Sequence, residues 1–290
     1  MDYYESSMFY PDFSDEDKVR IYSVFGGIPY YNRLIDGKKS VRENIIDLIA
    51  SPGARLENEV SMYLSSEISK ITNVNEVFEA LAKGFSRYKD ILDQSHVSSG
   101  PALVDVLDKL IRMDVVDKIT PINDENNRKK SGYFISDNLS LFYYKYIFRN
   151  SSRMNIMDSD IFYDRYIAED FETKYVPKIF EDVCRQYLIR KNRMGCMDEI
   201  FEKIGKYYYD DPVERKNGEF DIVTLDDKGY IFYEAKFRKE PVTEQMIENE
   251  IVQVKQTGLE CYKYGFFSKS GFACEEQENR SLIELKELYR

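Results

Sequence analysis

Apolar residues recur along this chain in helical rhythm for roughly its first half, and in strand rhythm only towards its end. Ser14 stands before Asp15, Glu16 and Asp17, an N-cap ahead of an acidic first turn, and the helix it opens is expected to stop at the Gly26-Gly27 pair. Ser40 and Glu43 form a capping-box pattern before Ile45, Ile46, Leu48 and Ile49, in a helix expected to end near Pro52-Gly53. A third periodic stretch runs from Leu56 to Ile68, which makes residues 1–75 a helical region.

Residues 76–136 read as a winged helix. Val77, Phe78, Leu81, Ala82 and Phe85 mark a first helix, and Tyr88 to Leu92 a second. Ser98-Ser99-Gly100-Pro101 opens a third, in which Leu103, Val106, Leu107, Leu110 and Ile111 repeat at helical spacing. Val115 to Thr120 and Gly132 to Ser136 can then pair as strands around a polar tip carrying Arg128, Lys129 and Lys130. Residues 137–174, rich in aromatics at first and polar around Asn150 to Asp160, predict a packed connector helix followed by a loop.

From Val176 the positions Val176, Ile179, Phe180, Val183, Cys184, Tyr187 and Leu188 trace one helical face, with Glu181 at its border. Glu219 to Leu225 and Tyr230 to Phe237 then alternate as strands, with Asp226-Asp227-Lys228-Gly229 between them as a turn. If Leu225 faces Tyr230, Asp221 faces Glu234. Side-chain alternation puts Glu234, Lys236 and Arg238 on one face and Ile231, Tyr233, Ala235 and Phe237 on the other. Two opposed carboxylates repel, so the pair calls for a cation, either Lys236 or a divalent metal. Oxygen ligands of this kind suit Mg²⁺ or Mn²⁺. On this reading, removing Asp221 relieves repulsion and costs no stability. A helix over Thr243 to Leu259 and a buried strand over Tyr262 to Phe267 complete an α/β domain over residues 175–290.

Composition narrows the functions available. The chain has 290 residues, 43% hydrophobic and 32% charged, enough for several soluble domains. It has no apolar run of about 18 residues and no signal-peptide character at its start, so a cytoplasmic protein without a membrane span is expected. With 41 basic and 52 acidic residues the net charge is −11, which excludes coating nucleic acid by bulk electrostatics. The third helix of the winged unit offers Asp105, Asp108, Lys109 and Arg112, a neutral face better suited to protein contact than to DNA. Four well-separated cysteines and a lone histidine, His96, give no zinc-knuckle spacing, and His96 reads as a turn residue.

The strings Gly218-Glu219-Phe220-Asp221-Ile222-Val223 and Tyr233-Glu234-Ala235-Lys236 resemble the PD-(D/E)xK nuclease superfamily, with Glu181 in the place of that fold's leading-helix carboxylate. Phe267-Ser268-Lys269-Ser270-Gly271-Phe272 looks like the end of the nuclease domain of archaeal-type ATPases. Val24-Phe25-Gly26-Gly27-Ile28-Pro29-Tyr30-Tyr31 looks like their helical lid, and Gly132-Tyr133-Phe134-Ile135-Ser136-Asp137 like the end of their winged helix. The pattern GxxxxGK followed by Ser or Thr is absent, so the chain is not an ATPase on its own.

The resemblance implies a multidomain α and α/β protein: a helical region, a winged helix, and a restriction-endonuclease-like domain with a mixed central sheet. It also implies Asp221, Glu234 and Glu181 as ligands of Mg²⁺ or Mn²⁺, Lys236 as the residue that orients the attacking water, and phosphodiester hydrolysis as the reaction. Arg238 and Lys239 would hold a neighbouring phosphate of DNA, or of RNA, with Arg128, Lys129 and Lys130 as a second contact. Two other readings remain: a catalytically silent scaffold or regulator that meets an ATPase or another protein through the winged helix, and a DNA-binding regulator.

Overall fold

The computed structural model describes residues 1–60, 62, 73–125, 127, 130–211 and 216–290. The chain divides into two compact units, the first made of Met1–Phe13, Arg20–Ile119 and Ser131–Thr173, the second of Ser14–Val19, Thr120–Lys130 and Lys174–Arg290. Among the described residues no helix is long and apolar enough to cross a membrane. The expected helix over Leu56 to Ile68 falls mostly outside the described residues.

Among the described residues the first unit is helical apart from one ribbon. Ser40 and Glu43 form the anticipated capping box, Ser40 Oγ accepting from the Glu43 amide at 3.2 Å and the Glu43 carboxylate from the Ser40 amide at 2.7 Å. The helix they open, Val41–Leu48, stops before Pro52-Gly53, because Ile49 already leaves helical geometry. The helix Asp15–Phe25 ends where Gly26 takes a φ of +56°, and a Cβ on Gly27 would stand 1.9 Å from the Met1 carbonyl oxygen. This is why both positions are glycine.

Helices Val74–Ala82, Tyr88–Ser95 and Gly100–Arg112 follow, then antiparallel strands β1 (Val116–Ile119) and β2 (Gly132–Ile135), paired from Val116↔Ile135 to Ile119↔Gly132. His96 sits at the helix end with a φ of +53°, in the turn where it was expected. The connector differs from the expected helix and loop: it is a run of short turns of changing pitch, including π-helical Tyr143–Ile147. Aromatic packing sets that pitch, with Tyr144 stacked on Phe78 at 4.8 Å and Phe142 edge-on to Phe171 at 6.1 Å. The expected loop contains the helix Ser159–Tyr166, started by the Asp158 carboxylate accepting from the Asp160 and Ile161 amides.

The second unit holds a five-stranded mixed sheet in the order β3-β4-β5-β6-β7, where β3 is Lys203–Asp211, β4 Lys216–Asp226, β5 Gly229–Lys236, β6 Cys261–Ser268 and β7 Arg280–Glu284. The β4–β5 hairpin has the expected register, Leu225 opposite Tyr230, and closes one pair further at Asp226↔Gly229. Asp226 Oδ1 accepts from the Lys228 and Gly229 amides, and Gly229 takes a φ of +133°, so both turn residues have a local reason. β5, β6 and β7 run parallel, with the helix Glu244–Gln256 crossing over between β5 and β6.

One helix lies on each face of this sheet. Val176–Arg193 packs Phe180 on Phe237 at 5.1 Å and Tyr187 on Phe267 at 5.9 Å. On the other face Ile247, Ile251 and Val254 of Glu244–Gln256 join Phe220, Val223, Phe232, Tyr264 and Phe266 in one core cluster. Each such buried side chain contributes about 1.5–3 kcal/mol, enough to hold the rigid frame on which a site can be built. The outer edge of β3 is covered in part: the Ile122 amide donates to the Lys206 carbonyl at 2.8 Å and Asn123 bonds both ways to the Tyr208 backbone.

Candidate active site

The site begins with an irregularity in β4. Its pairing with β3 passes from Gly205↔Val223 to Tyr207↔Phe220, so Lys206 alone stands against Asp221 and Ile222. That is a β-bulge, and the extra residue breaks the alternation. Phe220 and Val223, three apart, therefore both enter the core under the Glu244–Gln256 helix, while Asp221 is turned to the other helix, where the Lys178 ammonium donates to it at 3.0 Å. Lys206 Nζ donates to Asp221 at 2.5 Å and to Glu219 at 2.7 Å. The same Lys178 ammonium donates to Glu181 at 2.5 Å and so joins a carboxylate on the helix to one on the sheet.

The direct pairing of Asp221 with Glu234 expected from the register is not present: the β4–β5 ladder ends at Ile222↔Tyr233, one pair earlier. The bulge accounts for this, because it diverts Asp221 before the strands would bring the two residues opposite each other. Glu234 and Lys236 continue beside β6 and share the face of the Glu244–Gln256 helix, where Lys236 Nζ donates to Glu234 and to Glu250, each at 2.7 Å. Lys236 thus serves Glu234, while Lys178 and Lys206 serve Asp221.

The three carboxylates nonetheless line one cleft. Glu181, Asp221, Ile222, Tyr233, Glu234 and Ala235 enclose about 20 Å³, room for a single water or a small ion. A larger depression of about 550 Å³, lined by Glu16, Lys269, Ser270, Glu284 and Lys286 among others, includes none of these carboxylates.

Crowding separates their proton affinities. Burial and the neighbouring Asp221 charge push the Glu181 carboxyl up to about 7, although Lys178 opposes the shift. Burial also works against charge on Asp221, but Lys206 and Lys178 outweigh it and hold its pKa down at about 2. Glu234 is raised by burial against the pull of Lys236, with Glu250 and Asp221 adding to the rise. Burial disfavours the charge on Lys178 too, but Glu181 and Asp221 more than compensate and raise its pKa. Asp221 and Glu181 therefore differ widely in acidity across one cleft, a feature associated with functional sites.

Among the described residues no three His, Cys, Asp or Glu side chains are arranged to hold a metal ion; the site carboxylates are directed at lysines. The donors still suit a hard cation: oxygen alone, from Glu181, Asp221 and Glu234, around a space of ionic size, with Ala235 in the wall. A cation shared by Glu181 and Asp221 would compete with the Lys178 ammonium for the same carboxylates, and the Lys178 side chain is 55% exposed.

The expected phosphate contacts fare differently. Arg238 and Lys239 are exposed beyond the end of β5, with Arg238 donating to Glu240 at 3.1 Å. Lys130 is engaged, pairing with Asp124 at 3.0 Å and lying 3.8 Å over the Tyr208 ring, because its segment covers part of the β3 edge. Arg128 and Lys129 lie outside the described residues. Sequence reasoning missed Lys178 and Lys206. The first had a signal, its i,i+3 spacing from Glu181; the second had none apart from the adjacent apolar pair Ile222-Val223 that betrays the bulge.

Comparison with known proteins adds a partial family match and no activity. Residues 143–251 match the family DUF234, described as archaeal and bacterial proteins of unknown function. An uncharacterized protein of Methanocaldococcus jannaschii is 28% identical over 278 residues, 93% of this chain, and the chain spans 60% of that relative's length. The crystal structure of protein VC1899 from Vibrio cholerae aligns with 81% of this chain and 53% of its own, at 9% identity and a TM-score of 0.25. The chain is thus similar, over its connector and much of its α/β unit, to archaeal and bacterial proteins of unknown function.

Proposed function

We propose that the second unit is a Mg²⁺- or Mn²⁺-dependent phosphodiesterase of the PD-(D/E)xK type, acting on DNA or RNA at the cleft of Glu181, Asp221 and Glu234. The observation that carries this reading is the bulge at Asp221, which brings a strand carboxylate to a helix carboxylate beside a second strand's Glu-Ala-Lys. A fold that needed only stability would gain nothing from crowding three acids, since each opposes the ionisation of the others. The placement of Glu181 on a helix ahead of the hairpin that carries Asp221 and Glu234 supports this reading.

In this reading Glu181, Asp221 and Glu234 would hold the cation, whose chemistry there would be to provide a nucleophile at neutral pH and to offset the charge that develops on the phosphate oxygens. Lys236, fixed by Glu234 and Glu250, orients the attacking water. Lys206 keeps Asp221 ionised and aimed through its two carboxylate contacts. Arg238 and Lys239 meet the flanking phosphate. Residues 74–135, three helices and a ribbon, have the order of a winged helix. The helix Gly100–Arg112 pairs Lys109 with Asp105 at 2.6 Å, which favours a protein partner over duplex DNA for that module.

One observation favours the scaffold reading: Lys178 and Lys206 already neutralise Asp221, as in a structural ion-pair cluster. Cleavage of single- and double-stranded DNA and RNA by the full chain in Mn²⁺ separates the two. Metal-dependent cleavage that disappears in Asp221→Asn and Lys236→Met supports the nuclease. A folded wild type that cleaves none of these substrates supports the scaffold.

A further inference from the structure

Lys178 occupies an unusual place. Its ammonium bridges Glu181, one turn along its own helix, and Asp221, on the bulge of β4, at 2.5 and 3.0 Å. These two carboxylates come from different elements and share the cleft with Glu234. A group that binds both at hydrogen-bonding distance stands where a cation shared by them would stand. Lys206 reaches Asp221 and Glu219 from the neighbouring strand. Lys236 is tied to Glu234 and to Glu250. The Lys178 bridge thus joins the helix to the sheet beside the cleft.

We propose that the Lys178 ammonium is a built-in competitor for the divalent cation: it holds Glu181 and Asp221 together until the ion displaces it. This rests on the metal-site reading above and deepens it. A divalent ion bound by the same Glu181 and Asp221 carboxylates would lie close to the ammonium and repel it, so ammonium and ion compete for these two acids. Lys178 can leave, because its side chain is 55% exposed whereas those of Glu181 and Asp221 are 26% and 35% exposed. The exchange keeps the two acids neutralised at every stage, which prevents the carboxylate cluster from springing apart when the ion is scarce. It also sets a threshold: the site fills only at an ion concentration high enough to displace the lysine, and the displaced ammonium is then free to meet an anionic substrate at the cleft mouth.

The test is calorimetric titration of Mn²⁺ into the full-length chain, with thermal unfolding of the same samples. Lys178→Met should bind Mn²⁺ roughly 3- to 10-fold tighter than wild type, the range expected from losing one partly exposed ion-pair competitor. It should also unfold at a lower temperature in chelator and recover more on adding Mn²⁺. Lys178→Arg, which keeps the charge, should stay near wild type. Lys228→Met, at the far hairpin turn, makes the same change in net charge and should leave the affinity within about twofold, which separates local displacement from a general field effect. Wild-type binding that is lost in Asp221→Asn but unchanged or weakened in Lys178→Met overturns the proposal and leaves the metal site standing. The absence of Mn²⁺ binding in wild type and Lys178→Met alike overturns both.

Discussion

The helical unit and the α/β unit place their charges in opposite ways. In the helical unit acids meet bases singly or in short chains: Arg149 covers the buried Glu79, donating at 2.7 Å through Nη2, and Arg20 forks onto Glu172 at 2.9 and 3.1 Å. Arg42 spans Asp160 and Asp164. In each case the pair ties two segments distant in sequence, and nothing else is asked of it. In the α/β unit Glu181, Asp221 and Glu234 line one small cleft, and three lysines from three elements hold them there. The first pattern is what a fold needs, and the second is what a site for a cation and an anionic substrate needs. The contrast teaches that a buried or half-buried charge becomes a functional signal when its neighbours share its sign.

The contrast can be broken most forcefully at Asp221. Asp221→Asn should reduce metal-dependent cleavage by at least about 100-fold. It should also cost a little stability, contrary to the expectation from sequence that removing a carboxylate relieves repulsion. Lys206 and Lys178 hold the Asp221 pKa at about 2, below the ordinary aspartate range. A depressed folded pKa means a stabilising contribution, present above the unfolded value and lost as pH falls through the folded one. A melting temperature slightly below wild type at pH 7, with the difference vanishing towards pH 2, would bear this out; an Asn variant more stable than wild type at pH 7 would refute it.

A second perturbation belongs to the helical unit. Arg149→Ala leaves Glu79 buried without its partner and should cost about 1–2 kcal/mol, a figure kept low because the arginine is 61% exposed. Its melting temperature should fall by several degrees with Mn²⁺ affinity unchanged, read by scanning calorimetry and titration on the same preparation. A change in Mn²⁺ affinity would show that the two patterns of charge are not separable.

The smallest effect is expected at Glu181, whose pKa is raised to about 7 by burial and by Asp221. A raised carboxylate pKa favours the folded state when protonated, so its contribution is complete below the unfolded value near 4.5 and is lost as pH rises through about 7. In chelator, Glu181→Gln should therefore gain on wild type by ~2–4 °C in melting temperature between pH 5 and pH 8. A difference that is flat across this range, or that has the reverse slope, would remove Glu181 from the crowded cluster.

The parts of this arrangement legible in sequence are those with local causes. The hairpin register followed from turn chemistry at Asp226 to Gly229, and the Ser40 helix from its capping box. The parts that were not legible depend on distant partners. β3 reads Lys-Ile-Gly-Lys-Tyr-Tyr-Tyr-Asp-Asp, with weak alternation, because one side of it is covered in part by Ile122 and Asn123, far away in sequence. β7 is a short strand that depends on β6 for its pairing. The bulge at Asp221 shows in sequence only as the adjacent apolar pair Ile222-Val223 and the spacing of Phe220 and Val223, which any strand could carry by chance. With it went the lysines of the site: the sequence offered Lys236 or a divalent metal to the two strand acids, and the bulge gives Asp221 to Lys206 and Lys178.

The most direct test of the central claim is an anomalous-difference map from crystals of the full chain soaked in Mn²⁺. The account predicts one strong peak between the carboxylates of Glu181 and Asp221, within ligand distance of Glu234 directly or through one water, with the Lys178 side chain turned outward. No peak in the cleft at a concentration that saturates the titration, with Lys178 still bridging Glu181 and Asp221, would contradict it and leave the cluster as an ion-pair network that holds the helix to the sheet.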